Sequence, residues 1–180
     1  MKGWAAVTEA MAGWTMILRR EDGWRERFAL SLPGLLTALV IFAMVTFLAV
    51  VFASMSVGMP SPTGVVAAMF VLALPVTALV LSFLVTRSLL KSPAPTLDVM
   101  VPGIYAATVF LVVEGLLALI GGPVVMLSWL ALAYLLYRLA RAATGWSVGI
   151  SAAFAVLTVV LLVAMRIALY MLSSTASPPT

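Results

Sequence analysis

The chain has 180 residues, of which 64% are apolar and 9% charged, and its net charge is +4. Soluble domains run about 45–50% apolar and about 25% charged, so this composition excludes one and leaves room for membrane spans and little else. His and Cys are both absent, which removes disulfides, thiol catalysis, iron–sulfur clusters and His-ligated haem.

Residues 1–28 read as a cytoplasmic amphipathic and basic segment. Trp4, Val7, Met11, Trp14 and Leu18 recur at steps of three and four, which places them on one face of a helix. Arg19, Arg20, Arg25 and Arg27 follow, interleaved with Glu21, Asp22 and Glu26, and Gly23 marks a break. A helix of this kind lies flat in a membrane interface, with its arginines at the lipid headgroups. Packing of the same face on the membrane domain or on a partner is the alternative. The apolar run that follows is longer than the h-region of a signal peptide, about 7–15 residues, so the segment is expected to be retained.

Residues 29–172 read as one transmembrane domain of five spans, at about 28–57, 64–90, 99–120, 123–139 and 147–172. Pro33-Gly34 opens the first span, where proline is tolerated because the first helical N–H groups lack partners. An uncharged loop at Gly58–Thr63 precedes the second, in which Pro75 predicts a kink. The loop Lys91–Asp98 leads into the third span, with Thr96 or Asp98 available as the cap. Gly121-Gly122-Pro123 turns tightly into the fourth, and Arg138, Arg141 and Gly145 close it. Gly145, Gly149 and Ala153 form a row of small residues at every fourth position, a helix-packing face. Residues 173–180 read as a disordered polar tail.

Nine of the ten cations fall on one side of this layout. Lys2, Arg19, Arg20, Arg25 and Arg27 precede the first span, Arg87 and Lys91 lie between the second and third, and Arg138 and Arg141 between the fourth and fifth. Short loops rich in Lys and Arg stay in the cytoplasm. The expectation is an inside N-terminus, an external C-terminus and, from the Arg, Ala and Val usage, a bacterial inner membrane.

Two charges lie within spans. Glu114 is in the third and Arg166 in the fifth, each roughly 9 Å below the outer edge at 1.5 Å per residue. A lone charge there costs about 3 kcal/mol, so the matched depths predict that the two spans pack together with Glu114 against Arg166. Such a pair serves as a structural tie or as a candidate transport site. A third arrangement has Arg166 snorkelling outward, with Glu114 neutral or paired elsewhere.

Metal-ligand clusters, a base for a Ser nucleophile and a phosphate-cradling loop are all missing from the sequence. No enzyme, cofactor, metal or nucleic-acid partner is expected.

The stretch Leu97-Asp98-Val99-Met100-Val101-Pro102-Gly103-Ile104-Tyr105, the Gly121-Gly122-Pro123 turn and Tyr134-Leu135-Leu136-Tyr137 together resemble the bacterial branch of the Yip1-domain family. That resemblance covers most of residues 5–172 and implies five spans with a basic N-terminal segment. The Asp-Leu-Tyr-Gly-Pro motif of the eukaryotic members is absent, so their small-GTPase partners do not carry over. The reading is thus an all-α membrane bundle with an N-terminal interfacial helix. Its expected role is that of a non-enzymatic scaffold or accessory subunit with a membrane-protein partner or a second copy. A small transporter or channel subunit using Glu114 is the alternative. A lipid-organising protein is a third reading, suggested by the basic N-terminus.

Overall fold

The computed structural model of the protein describes residues 2–58 and 60–176. Helix α1 spans Lys2–Arg19, and a 3-10 turn follows at Trp24–Arg27. Helices α2 (Leu32–Val57), α3 (Pro62–Leu90) and α4 (Thr96–Ile120) come next. A second 3-10 turn at Gly122–Val125 leads into α5 (Met126–Thr144), and α6 covers Val148–Ala176. Five of these segments, 23 to 29 residues each, are long and apolar enough to cross a membrane. At 1.5 Å per residue even the shortest reaches about 34 Å, more than the roughly 30 Å of hydrocarbon. Helix is the structure such segments must take, because lipid offers the backbone no hydrogen-bond partner.

Local chemistry sets the helix ends, and several differ from the sequence expectation. α2 starts at Leu32 rather than near residue 28, because Ser31 caps it by accepting from the Gly34 N–H, with Pro33 in the first turn. Phe28 instead packs with Trp24 and Tyr105, each at a ring-centroid distance of 6.1 Å. Ser61 caps α3 in the same way, accepting from the Gly64 N–H. Neither Thr96 nor Asp98 caps α4. Pro95 holds the capping position without a side-chain bond, the Thr96 hydroxyl accepts from Arg87, and Asp98 accepts from Arg25. α5 continues past residue 139 because Leu139, Ala140 and Ala143 are buried. Gly145 ends it at φ +66, a left-handed conformation that glycine adopts at little cost. α6 runs through 173–176, which were expected in the tail; residues 177–180 and Met59 of the Gly58–Thr63 loop lie outside the described residues.

α4 is the central helix. Its residues Val99–Thr108 are buried without interruption, as are Phe110 and Leu111. α2, α3 and α5 pack around it, while α6 packs on α3 and α5. Pro75 is buried within α3, and the helix continues through it. A Cβ on Gly103 would come within 2.6 Å of Leu79, so the bare glycine sets the approach of α3 to α4. A buried hydrogen bond of 2.6 Å between the Ser82 and Thr158 hydroxyls ties α3 to α6. Trp146 closes one end of the core against Phe83 and Phe154 and donates its indole N–H to Ser92 Oγ.

The face by which α1 docks is not the expected one. Ala10, Gly13, Trp14 and Ile17 are buried, whereas Trp4 is 77% exposed, Met11 64% and Leu18 36%. Val7 is half-buried. The docked face is rotated by roughly a quarter turn from the Trp4–Met11–Leu18 stripe, and Trp14 alone of the larger residues serves both. Small side chains decide this: a Cβ on Gly13 would run into the Phe28 ring. The Trp14 indole N–H donates to the Pro102 carbonyl at 3.2 Å, which fixes α1 to the first turns of α4.

Replacing Gly13 with Ala forces Phe28 out of its seat and is expected to loosen α1 at a cost of about 1–3 kcal/mol. Hydrogen exchange in mild detergent should show faster exchange in Lys2–Arg19 while α4 keeps its protection. Unchanged exchange in α1 would show that this contact does not hold the helix.

Candidate functional site

Glu114 projects from α4 and Arg166 from α6, and their side chains meet as a two-bond fork. Nη1 of Arg166 donates to Oε1 of Glu114 at 2.6 Å, and Nη2 donates to Oε2 at 2.8 Å. Side-chain exposure is 13% for Glu114 and 23% for Arg166. Parallel N–H···O bonds of this length are the strong form of carboxylate–guanidinium contact. The guanidinium carbon also lies 5.0 Å from the Trp129 ring centroid and 5.8 Å from that of Phe110. These two rings meet edge to face at 5.9 Å, so the cation has an aromatic wall as well as a counter-ion. The Nε donor of Arg166 is buried and has no acceptor among the described residues.

The expectation that the third and fifth spans pack directly needs correction. The main helix neighbours of α6 are α3 and α5, and α4 is not among them. The long Arg166 side chain reaches Glu114 where the backbones do not, passing Trp129 of α5 on the way.

Glu114 also lines a groove of about 870 Å³ between α2, α3 and α4. Small side chains make most of its wall, among them Ala49, Ala53, Ser54, Ala68, Gly115 and Ala118. Glu114 is the one charged residue in that lining. The groove thus combines an apolar channel, along which another helix can approach closely, with a carboxylate whose two oxygens are already held by Arg166.

The other expected positions are dispersed. Gly145 lies between α5 and α6, so it is not part of a helical row. Gly149 and Ala153 do share α6 and are exposed, and a Cβ at Gly149 would meet open space. Of the arginines expected at headgroups, Arg25 donates to Asp98 at 2.7 Å and to the Ala143 carbonyl at 3.2 Å. Arg27 pairs with Glu9 at 3.1 Å, and Arg19 lies 4.0 Å from Glu21. Arg20 takes a left-handed φ of 63 at the end of α1.

One cation was missed by the sequence reading. Arg138 lies at the expected end of the fourth span, but α5 continues past it and leaves it only 9% exposed. The apolar series Leu132, Leu136, Leu139, Ala143 carries that signal, since it keeps helical spacing past residue 139.

No family model, curated protein or solved structure matches the chain.

Glu114→Gln and Arg166→Gln each leave one buried charge alone and are expected to cost about 3 kcal/mol, the low end for breaking such a pair. The double variant should cost clearly less than the sum, as read by denaturant unfolding in mixed micelles. Additive losses would mean that the two side chains are not energetically coupled.

Proposed function

We propose that this protein is a non-enzymatic, multi-pass scaffold or accessory subunit that seats a transmembrane segment of a partner protein in the groove between α2, α3 and α4. The observation that carries this reading is the groove's lining. Ala49, Ala53, Ala68, Gly115 and Ala118 come from three helices and leave their backbones accessible. Helices associate in lipid through such surfaces, because close backbone approach gains the dispersion contacts that larger side chains prevent. The exposed Gly149 and Ala153 of α6 offer a second surface of the same character, suited to another copy of the chain.

The fork between Arg166 and Glu114 supports a structural role for the pair. Both carboxylate oxygens are engaged, and the aromatic wall of Trp129 and Phe110 holds the guanidinium in place. Sidedness belongs to the same proposal. The clustering of basic residues before α2 and between alternate helices supports a cytoplasmic N-terminus in a bacterial inner membrane. The Yip1-domain resemblance fits this reading through its five spans and basic N-terminal segment.

A transporter or channel subunit is the second reading, and the position of Glu114 on the groove wall favours it. The two readings separate experimentally. Ala49→Leu and Ala68→Leu fill the groove from α2 and α3, which carry neither member of the ion pair, and are expected to abolish co-purification of the partner while the protein still accumulates. Glu114→Gln is expected to weaken the fold without selectively removing a flux. Assembly that survives both groove-filling variants would overturn the scaffold reading. Loss of flux by a stable Glu114→Gln protein would install the transporter reading in its place.

A further inference from the structure

Arg138 is a guanidinium that is buried without a counter-ion among the described residues. Its Nη2 donates to the Ile17 carbonyl at 2.6 Å and its Nη1 to the Tyr134 hydroxyl at 3.3 Å. Both acceptors are neutral. Arg138 takes part in no ion pair among the described residues. Arg166, which is less buried, has Glu114, and the still more exposed Arg25 has Asp98. A buried charge is costly unless it is paired as well as hydrogen-bonded, so Arg138 leaves the protein with an electrostatic requirement that its own side chains do not meet.

The space beside Arg138 shows what meets it. A pocket of about 420 Å³ lies where the end of α1 and the turn after it meet α5. Arg138 lines it together with Arg20, Arg25 and Arg141, and Glu21 and Asp22 are the acids in its wall. Four arginines face two carboxylates in the lining, and Asp98 neutralises Arg25 from outside it, which leaves a net +1. Arg141 spends one donor on the Trp146 carbonyl, and Arg20 sits at its positive φ without an ion pair among the described residues. Tyr137 adds a hydroxyl, and Trp24 and Val148 add apolar wall.

We propose that this pocket binds a phosphoryl anion and that its source is the phosphodiester of an anionic lipid headgroup. Guanidinium forks match phosphate oxygens two at a time. Basic pockets between helices at the cytoplasmic edge of a membrane are where anionic headgroups sit. The charge balance separates the diester from a free phosphate. Glu21 and Asp22 repel a dianion more than a monoanion, so the singly charged diester is the better partner for a lining of net +1. The mixed wall points the same way, because Trp24 and Val148 suit the glycerol and first methylenes of a lipid rather than a hydrated inorganic ion. The inference rests on the proposed cytoplasmic N-terminus but not on the groove, which concerns another part of the molecule.

The test uses the full chain, stripped of lipid in mild detergent, with the thermal midpoint read as the loss of soluble, monodisperse protein. Phosphatidylglycerol, phosphatidylcholine and sodium phosphate are added separately. The expected result with phosphatidylglycerol well above its Kd is a rise on the order of 5 °C, with little change from the other two. Arg138→Gln releases the Ile17 carbonyl and can unfold α1 by itself, so Arg20→Gln carries the decision. That variant should keep the lipid-free midpoint and lose at least half of the phosphatidylglycerol shift. Equal shifts from phosphatidylcholine and phosphatidylglycerol, or a full response in Arg20→Gln, would overturn the site. A shift with sodium phosphate as large as with phosphatidylglycerol would keep the phosphoryl site and overturn the lipid as its source.

Discussion

A carboxylate and a guanidinium cannot be left apart in hydrocarbon without a cost of several kcal/mol, and the arrangement of the bundle follows from how Glu114 and Arg166 meet that constraint. α4 and α6 are not close backbone neighbours. The fork of 2.6 and 2.8 Å bonds joins them through side chains alone. Trp129 and Phe110 stand beside the cation and offer it their ring faces. With α6 held on α3 and α5 by packing and tied to α4 by charge, the free faces of α2, α3 and α4 are left to form the groove beside Glu114.

The opposite end of the bundle is held by a different set of bonds, and here the N-terminal segment is part of the fold. Trp14 reaches the Pro102 carbonyl, Arg138 the Ile17 carbonyl, and Arg25 both Asp98 and the Ala143 carbonyl. These join α1 and its following turn to α4 and α5. Backbone carbonyls near helix ends are natural acceptors for cations because they carry the negative end of the helix dipole, and Ile17 and Ala143 are such positions. The helix therefore presents Trp4, Met11 and Leu18 outward while Ala10, Gly13 and Ile17 face the protein. One end of the molecule balances its charges internally, and the other leaves Arg138 to be balanced from outside.

How much of this can be read from residues alone depends on the size of the side chains that decide it. Five apolar runs and their punctuation by Pro, Gly and Ser announce an all-helical membrane protein, because lipid permits few alternatives to a helix over such a length. The matched positions of Glu114 and Arg166 before Ile120 and Leu172, where their apolar spans end, are also legible. That their helices share neighbours instead of packing directly is not, since helix order around a bundle leaves no periodic trace. The docked face of α1 was hidden because Ala10 and Gly13 contribute little hydrophobicity, yet they set the closest approach. Arg138 was hidden for the opposite reason: a charge near a predicted helix end suggests solvent, and only the continuation of α5 to Thr144 reveals its burial. The groove consists of side-chain volume that is missing from three helices at once, which no single stretch of sequence displays.

A bundle tied at one end by an internal ion pair and at the other by a docked helix presents fixed surfaces, and we propose that these surfaces serve assembly in the membrane. The most direct test is the native mass of the protein released in mild detergent from its own host membrane. The expected mass exceeds the 19.0 kDa chain by that of a stoichiometric protein partner. A mass equal to one chain with bound lipid alone would contradict that proposal.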